Sequence, residues 1–194
     1  MSVMGIENVL LVIERDNTNV WSSLAHTQRE KMFRYKGFSG MQWPLYEEWS
    51  KAGKILFEIT NDLGSYADKE AIISYTIALK AAFKKEFDLL LLNPTKEKQD
   101  PHILFRGYDV GILEEFEEPI FFSGILNEIR ENGNPNLIKL QSYLNENYLF
   151  STAQQCEAYL SARHEAEMRH ELSYIETAYN TSQFAAFSIY EYLI

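Results

Sequence analysis

The sequence predicts an α+β fold, a single helix-rich domain with a small mixed sheet and helices packed on it. Hydrophobic residues make up 46% of the 194 residues and aromatic residues 14%, which is enough apolar surface to form a core. Short Val/Leu/Ile-rich runs predict strands, and a long apolar stripe at helical spacing predicts a helix. The length fits one domain over residues 1–194, with a weak internal division near the polar segment 95–101.

The first sixty residues predict two strands and two helices. Glu7–Glu14 is short and rich in Val, Leu and Ile, so we expect a strand. A helix is expected over Val20–Tyr35 and a loop at Phe38–Gly40. A second helix is expected over Pro44–Gly53, because proline suits a first turn and glycine ends a helix. Lys54–Thr60 alternates in part and predicts a buried strand.

The strongest helical pattern of the chain follows a turn signal at residues 61–64. We expect this helix over Ser65–Phe87, packed on a sheet that contains Lys54–Thr60. Asp88–Leu92 is a continuous apolar run before an Asn-Pro pair and predicts a strand. The apolar stripe of the helix consists of Ile72, Tyr75, Leu79, Phe83 and Phe87. We expect Ile72, Leu79 and Phe83 of this stripe to be buried.

The second half of the chain predicts two strands and three helices. His102–Phe105 is an apolar run that predicts a strand. Phe184–Ile194 is biased toward aromatic and β-branched residues and predicts a terminal strand in the sheet. Phe122–Arg130 predicts a short helix, and a further helix starts at Asn136 with Leu137, Leu140 and Leu144 inward. A long helix is expected over Thr152–Tyr174, with an inward stripe of Ala153, Cys156, Leu160, His164, Met168 and Leu172.

The charge of the chain restricts the partners it can bind. A formal net charge of -10 opposes binding to nucleic acid and to anionic membranes, and favours basic proteins. The only cysteine is Cys156, so no intrachain disulfide forms and a reducing compartment is expected. The apolar runs Val9–Ile13 and Phe87–Leu92 are too short for a signal peptide and a membrane span, respectively. We therefore expect a cytoplasmic protein; the sequence does not indicate its oligomeric state.

No catalytic signature is present, and we expect no enzymatic activity, no metal and no cofactor. His164 and His170 are six residues apart, about 600° of rotation on a helix, so their rings point roughly 120° apart. On a straight helix they cannot share one metal ion. His164 is expected at the edge of the core, His170 in solvent, and Cys156 as a buried, unreactive thiol.

The candidate site follows the strand that begins at His102. Gly107 and Gly111 flank a Tyr-Asp pair, and four glutamates follow within five positions. One interpretation is a strand exit that packs Tyr108 inward and uses Asp109 to hold a turn. The other is a loop that binds a partner through Tyr108, Asp109, Glu114, Glu115, Glu117 and Glu118.

Three sequence blocks resemble a group of uncharacterised bacterial proteins. The blocks here are Gly107-Tyr108-Asp109-Val110, Ser123-Gly124-Ile125-Leu126-Asn127, and Leu144-Asn145-Glu146 followed by Leu149-Phe150. That group has Gly-Tyr/Trp-Asp-Val, Ser-Gly-Leu-x-Asn and Leu-Asn-Glu-x-x-Leu-Phe blocks, and tends to have cysteine where this chain has Glu128. The resemblance covers about half of the chain, from His102 onward, and implies a shared half-domain without a mechanism.

Three functions fit these observations. The first is an acidic binding protein that neutralises a basic protein partner, most like a bacterial immunity protein paired with a nuclease-type toxin. The second is a small enzyme that uses Asp109 and the glutamates at positions 114–118 with a divalent cation. The third is an assembly or scaffold protein without catalytic activity.

Overall fold

The computed structural model describes residues 9–14, 31–34, 38–40, 49–60, 69–84, 86–93, 101–114, 120–123, 134–147, 149–172 and 180–194. It confirms the α+β class. The strands are β1 Val9–Glu14, β2 Lys31–Arg34, β3 Phe38–Gly40, β4 Phe87–Leu92, β5 Ile103–Glu114, β6 Ile120–Ser123 and β7 Ala185–Tyr192. The helices are α1 Trp49–Thr60, α2 Lys69–Phe83, α3 Pro135–Ile138 and α4 Ala153–Met168, with 3₁₀ turns at Lys139–Tyr143 and Thr181–Gln183.

The strands form one sheet in the order β3-β2-β1-β4-β7-β5-β6. Every pairing between them is antiparallel, so the sheet is larger and more regular than the small mixed sheet we expected. Strand β7 lies between β4 and β5, which confirms the prediction that residues 184–194 contribute a strand to the sheet. Strands from both sides of segment 95–101 therefore share one sheet.

Two N-terminal predictions are wrong. Lys31–Arg34, expected within a helix, is strand β2, and Phe38–Gly40, expected as a loop, is strand β3. Leu10 lies opposite Phe33 in the ladder that β1 forms with β2, and β2 pairs with β3 in turn. These short strands exist because the apolar strand β1 needs a hydrogen-bonding neighbour, a non-local requirement that outweighs local propensity.

Helix α1 replaces the strand that we expected over Lys54–Thr60, and it runs through Gly53. In a strand, Ile55, Phe57 and Ile59 would share one face. Here Ile55 and Ile59 are partly buried against the core, whereas Phe57 is 49% exposed. This burial follows the four-residue spacing of a helix, so the partial alternation in the sequence was misleading.

Helix α2 confirms most of the long apolar stripe. Ile72, Tyr75 and Leu79 are buried, and Phe83 is partly buried. The helix ends at Phe83 because Lys84 takes a left-handed conformation with φ of 55° and donates its N–H to the carbonyl of Lys80. Phe87 consequently belongs to β4, the strand predicted at this position, and not to the helix.

The second half of the chain contains both confirmed and wrong predictions. Phe122 and Ser123 lie in strand β6 and not in a helix, while 124–130 lies outside the described residues. Leu137 is buried, with Leu140 and Leu144 partly buried, as predicted. Helix α4 starts after Thr152, whose hydroxyl accepts the N–H of Gln155 in a capping box.

Helix α4 ends at Met168, six residues before the predicted end at Tyr174. His170 has φ of 56°, its N–H donates to the carbonyl of Glu167, and the N–H of Glu171 donates to that of Ala166. This hydrogen-bond pattern is a Schellman motif with histidine in the position that glycine usually takes. The chain therefore turns away from the helix axis at His170.

The described helices pack against one face of the sheet in two clusters. Helices α1 and α2 cover Leu10, Leu89, Leu91 and Tyr192, and helices α3 and α4 cover Val110. Residues opposite each other in a ladder share a face of the sheet, and side chains along a strand alternate between the two faces. The pairing of β7 with β4 and with β5 therefore places both clusters on the same face. None of the described helices has the combined length and apolarity that crossing a membrane requires.

Candidate functional site

The stretch from Gly107 to Gly111 lies inside strand β5 and not in a loop, which corrects our expectation. A bulge between Phe105 and Gly107 interrupts the ladder with β7. Gly107 has φ of 145°, and a Cβ atom there would lie 2.7 Å from Leu149 Cβ and 2.8 Å from the carbonyl oxygen of Phe150. Position 107 therefore requires glycine both for its backbone angle and for the close approach of the neighbouring segment.

Asn145 anchors that neighbouring segment, residues 144–150, to the bulge. Its Nδ2 donates to the carbonyl of Arg106 at 2.8 Å, and its Oδ1 accepts from the N–H groups of Asn147 and Leu149. Tyr108 and Phe150 then exchange two backbone hydrogen bonds. The sequence analysis assigned no role to Asn145. The local sign of this turn is that Asn145 is followed two residues later by Asn147, because asparagine is common in turns.

Tyr108 is half-buried within a group of three aromatic rings. Its ring centre lies 5.2 Å from that of Phe105, which in turn lies 5.1 Å from Tyr190. Burial raises the pKa of Tyr190, and Tyr108 adds to this effect. Phe105 is 40% exposed, so it is the more accessible of the two β5 aromatics.

Asp109 is fully buried, so its carboxylate does not lie on the partner-accessible surface where we expected it. It is opposite Phe187 in the ladder between β5 and β7. Burial raises the pKa of the Cys156 thiol to about 12, with the charges of Asp109 and Glu157 as further causes. Cys156 is thus buried, as predicted, and a raised pKa disfavours the thiolate form through which a cysteine reacts.

Glu114 lies away from the aromatic group. Glu114 is the last residue of β5 and is opposite Ile120, whereas Glu115, Glu117 and Glu118 lie outside the described residues. Six residues of strand separate Tyr108 from Glu114, about 20 Å along the sheet. The aromatic group and Glu114 therefore do not form one compact cluster.

An ion pair joins β5 to β7 near the bulge. Arg106 donates to Glu191 through both Nε and a terminal guanidinium nitrogen, and the Nε distance is 2.7 Å. Glu191 is buried apart from 7% of its surface. Both hydrogen bonds converge on one carboxylate oxygen, Oε2, and these charge-assisted bonds help to compensate for the removal of this carboxylate from water.

A second set of polar residues surrounds the end of helix α4. Arg163 is fully buried, donates to Thr181 Oγ1 at 2.7 Å, and stacks on Phe184 with its guanidinium carbon 4.1 Å from the ring centre. The N–H of Thr181 donates to Glu167 Oε2 at 3.1 Å. Hydrogen bonds from Thr181 hold the pKa of Glu167 below its ordinary value of 4.5, helped by the charges of Arg163 and His164.

The predicted position of His164 is wrong. The buried residues of α4 are Cys156, Tyr159, Arg163 and Ala166, while 63% of the His164 side chain is exposed. The buried face of α4 is rotated relative to the predicted face, because it includes Arg163. Arg163 was not part of the predicted apolar stripe because it is charged. Met168, also expected inward, is 68% exposed.

His164 and His170 line one open cavity, which we call the α4-end cavity. On a continuous helix the two rings would point roughly 120° apart, but α4 ends at Met168 and the chain turns at His170. The cavity measures about 620 Å³, and Oε2 of Glu167 lies 3.8 Å from Nδ1 of His164. Within the described residues, its lining consists of His164, Glu167, Met168, His170, Leu172, Asn180 and Ser182.

No group of three or more His, Cys, Asp or Glu residues within the described ranges is arranged to hold a metal ion. The α4-end cavity combines hydrogen-bonding groups and the carboxylate of Glu167 with the apolar side chains of Met168 and Leu172. Such a lining orients a polar group while it contacts an apolar stem. Comparison of the chain with protein-family models, with curated proteins and with solved structures gave no match in any of the three.

Proposed function

We propose that the protein is an acidic cytoplasmic binding protein that neutralises a basic protein partner, in the manner of a bacterial immunity protein and its toxin. The observation that carries this proposal is the net charge of -10 on 194 residues. Such a charge attracts basic proteins from solution and raises the rate of productive encounter. Four glutamates at positions 114–118 concentrate part of this charge.

Phe105 is the aromatic anchor that we propose for the interface. Tyr108 is half-buried and Asp109 is buried, so neither offers as much surface as Phe105, which is 40% exposed. Tyr108 and Tyr190 support the Phe105 ring from within the sheet. Rigid, partly exposed aromatic residues commonly dominate binding energy, whereas surrounding charges act on association rates.

The test is a pull-down from the source organism, followed by association kinetics with the captured basic protein at two salt concentrations. Charge reversal of Glu114, Glu115, Glu117 and Glu118 to lysine should slow association about tenfold at low salt and flatten its salt dependence. A matched control reverses four exposed glutamates elsewhere and alters the net charge equally: Glu58, Glu70, Glu86 and Glu146.

A smaller effect in the control identifies the 114–118 glutamates as the steering rim. Equal effects in both variants would mean that only the net charge matters. An unchanged association rate in both variants would reject electrostatic steering. Phe105→Ala should mainly accelerate dissociation, because anchors act on the lifetime of a complex; an unchanged dissociation rate would reject Phe105 as the anchor.

A further inference from the structure

The α4-end cavity has the electrostatics of a cation site. The ionised carboxylate of Glu167 lies in its wall. The sixteen-residue helix α4 ends there, so the negative end of its dipole faces the same region. Glu165 and Glu171 are exposed nearby, and Arg169 lies 3.6 Å from Glu165. The carboxylates of Glu165, Glu167 and Glu171 outnumber the two guanidinium groups here, those of Arg169 and of the buried Arg163 that donates to Thr181, which leaves an excess of negative charge at this end of α4.

The remaining lining selects the shape of the cation. Met168 and Leu172 provide apolar surface for an aliphatic stem. Asn180 and Ser182 carry side-chain oxygens that accept hydrogen bonds, and two imidazole rings provide planar surfaces. A guanidinium group donates several hydrogen bonds in one plane and stacks on flat rings, whereas an ammonium group does neither.

We infer that the α4-end cavity receives an arginine side chain of the basic partner. This inference rests on the proposed function and adds a second contact region, on helix α4, to the one on strand β5. Glu167 is held in place by the N–H of Thr181, so its carboxylate is oriented before the guanidinium arrives. Such preorganisation reduces the cost of binding.

The experiment uses a blocked Gly-Arg-Gly peptide and its citrulline counterpart, a neutral analogue of nearly the same shape. Each peptide is titrated into the whole protein while NMR records the imidazole resonances of His164 and His170. We expect a saturable shift with the arginine peptide and roughly tenfold weaker binding of the citrulline peptide. Equal binding of both peptides, or no saturable shift, would overturn the inference.

Two variants locate the effect. Glu167→Gln keeps an acceptor for Thr181 but removes the charge, so arginine-peptide affinity should fall roughly tenfold. Glu157→Gln is the control. Glu157 is exposed and lies about 15 Å earlier along α4, so this variant should bind the arginine peptide like the wild type. If Glu167→Gln unfolds, Met168→Arg at a highly exposed position should abolish binding by occupying the opening with a cation. Wild-type affinity in these cavity variants would overturn the inference.

The peptide titration and the partner kinetics separate the two proposals. Suppose a basic partner associates more slowly with the 114–118 lysine variant while the peptides do not discriminate. That result would support the proposed function and reject arginine binding in the α4-end cavity. Charge-selective peptide binding without any captured basic partner would instead reject the proposed function and retain an arginine-binding cavity.

Discussion

Arg163 in helix α4 donates a 2.7 Å hydrogen bond to the hydroxyl of Thr181, in the segment that leads into strand β7. Both residues are buried, with 0% and 8% of their surfaces exposed. Thr181 also binds Glu167 through its N–H, so one threonine connects a buried cation to a carboxylate. This arrangement fixes the last two turns of α4 to the chain that enters the sheet.

Removing the Thr181 hydroxyl should therefore destabilise the fold. Thr181→Val takes an acceptor from a buried guanidinium and should lower the free energy of unfolding by about 1–3 kcal/mol. Thr181→Ser retains the hydroxyl and is the matched control. Urea melts of both variants measure the difference. Equal stability of the two variants would show that the hydroxyl is not needed.

His170→Gly should stabilise the protein, because glycine takes the left-handed conformation of this position without steric cost. The expected gain in the free energy of unfolding is about 0.5–1 kcal/mol after the extra chain entropy of glycine is subtracted. His170→Ala removes the imidazole but keeps the Cβ atom, so it should show no such gain. Thermal melts provide the comparison, and a stabilised alanine variant would contradict this explanation.

Gly107→Ala should be strongly destabilising. A Cβ atom at this position would meet backbone and Cβ atoms of Phe150 and Leu149 below 3.0 Å, and φ of 145° is unfavourable for any side chain. We expect a loss of about 2–4 kcal/mol in a urea melt. A loss below about 1 kcal/mol would mean that the segment 144–150 shifts away from β5 at little cost.

The contribution of Glu167 to stability should depend on pH. Its folded-state pKa lies below the ordinary value of 4.5 because Thr181 donates hydrogen bonds to it. A lowered pKa gives stability that is present above the unfolded-state pKa and is lost as pH falls through the folded-state pKa. Glu167→Gln should accordingly be less stable than wild type at about pH 7 and equal to it at about pH 2.

Glu165→Gln is the control for this pH dependence. Its carboxylate is 68% exposed and pairs with Arg169, whose side chain is 61% exposed, so the substitution should change little at either pH. Chemical melts of the three proteins at both pH values make the comparison. If Glu167→Gln is still less stable than the wild type at low pH, packing and not charge causes the difference.

Much of the sheet was predictable because its central strands are short and nearly continuously apolar. β1 and β4 have this pattern, which is independent of the order in which strands pair, whereas β7 was predicted from its aromatic and β-branched residues. β2 and β3 lack it, since their structure depends on hydrogen bonding to β1 and to each other. Helix α1 was missed because Ile55, Phe57 and Ile59 fit a strand period, whereas only Ile55 and Ile59 share a face of the helix.

The candidate site was predicted less well, for two physical reasons. The glycines around Tyr108 resemble a loop, yet Gly107 serves close packing against Leu149 inside a strand. The two histidines would point in different directions on an unbroken helix. The helix is not continuous, because the chain turns at His170. Arg163 was missed because its partner Thr181 is eighteen residues away in sequence.

Strand β7 has a consequence for synthesis of the protein on the ribosome. It is the only strand described that joins the group β3-β2-β1-β4 to the pair β5-β6, yet it follows all of them in sequence. A chain that emerges N-terminus first exposes the unpaired edges of β4 and β5 until residues 185–192 leave the exit tunnel. Such edges can pair with other chains, so ribosome stalling before residue 185 should yield an aggregation-prone nascent protein.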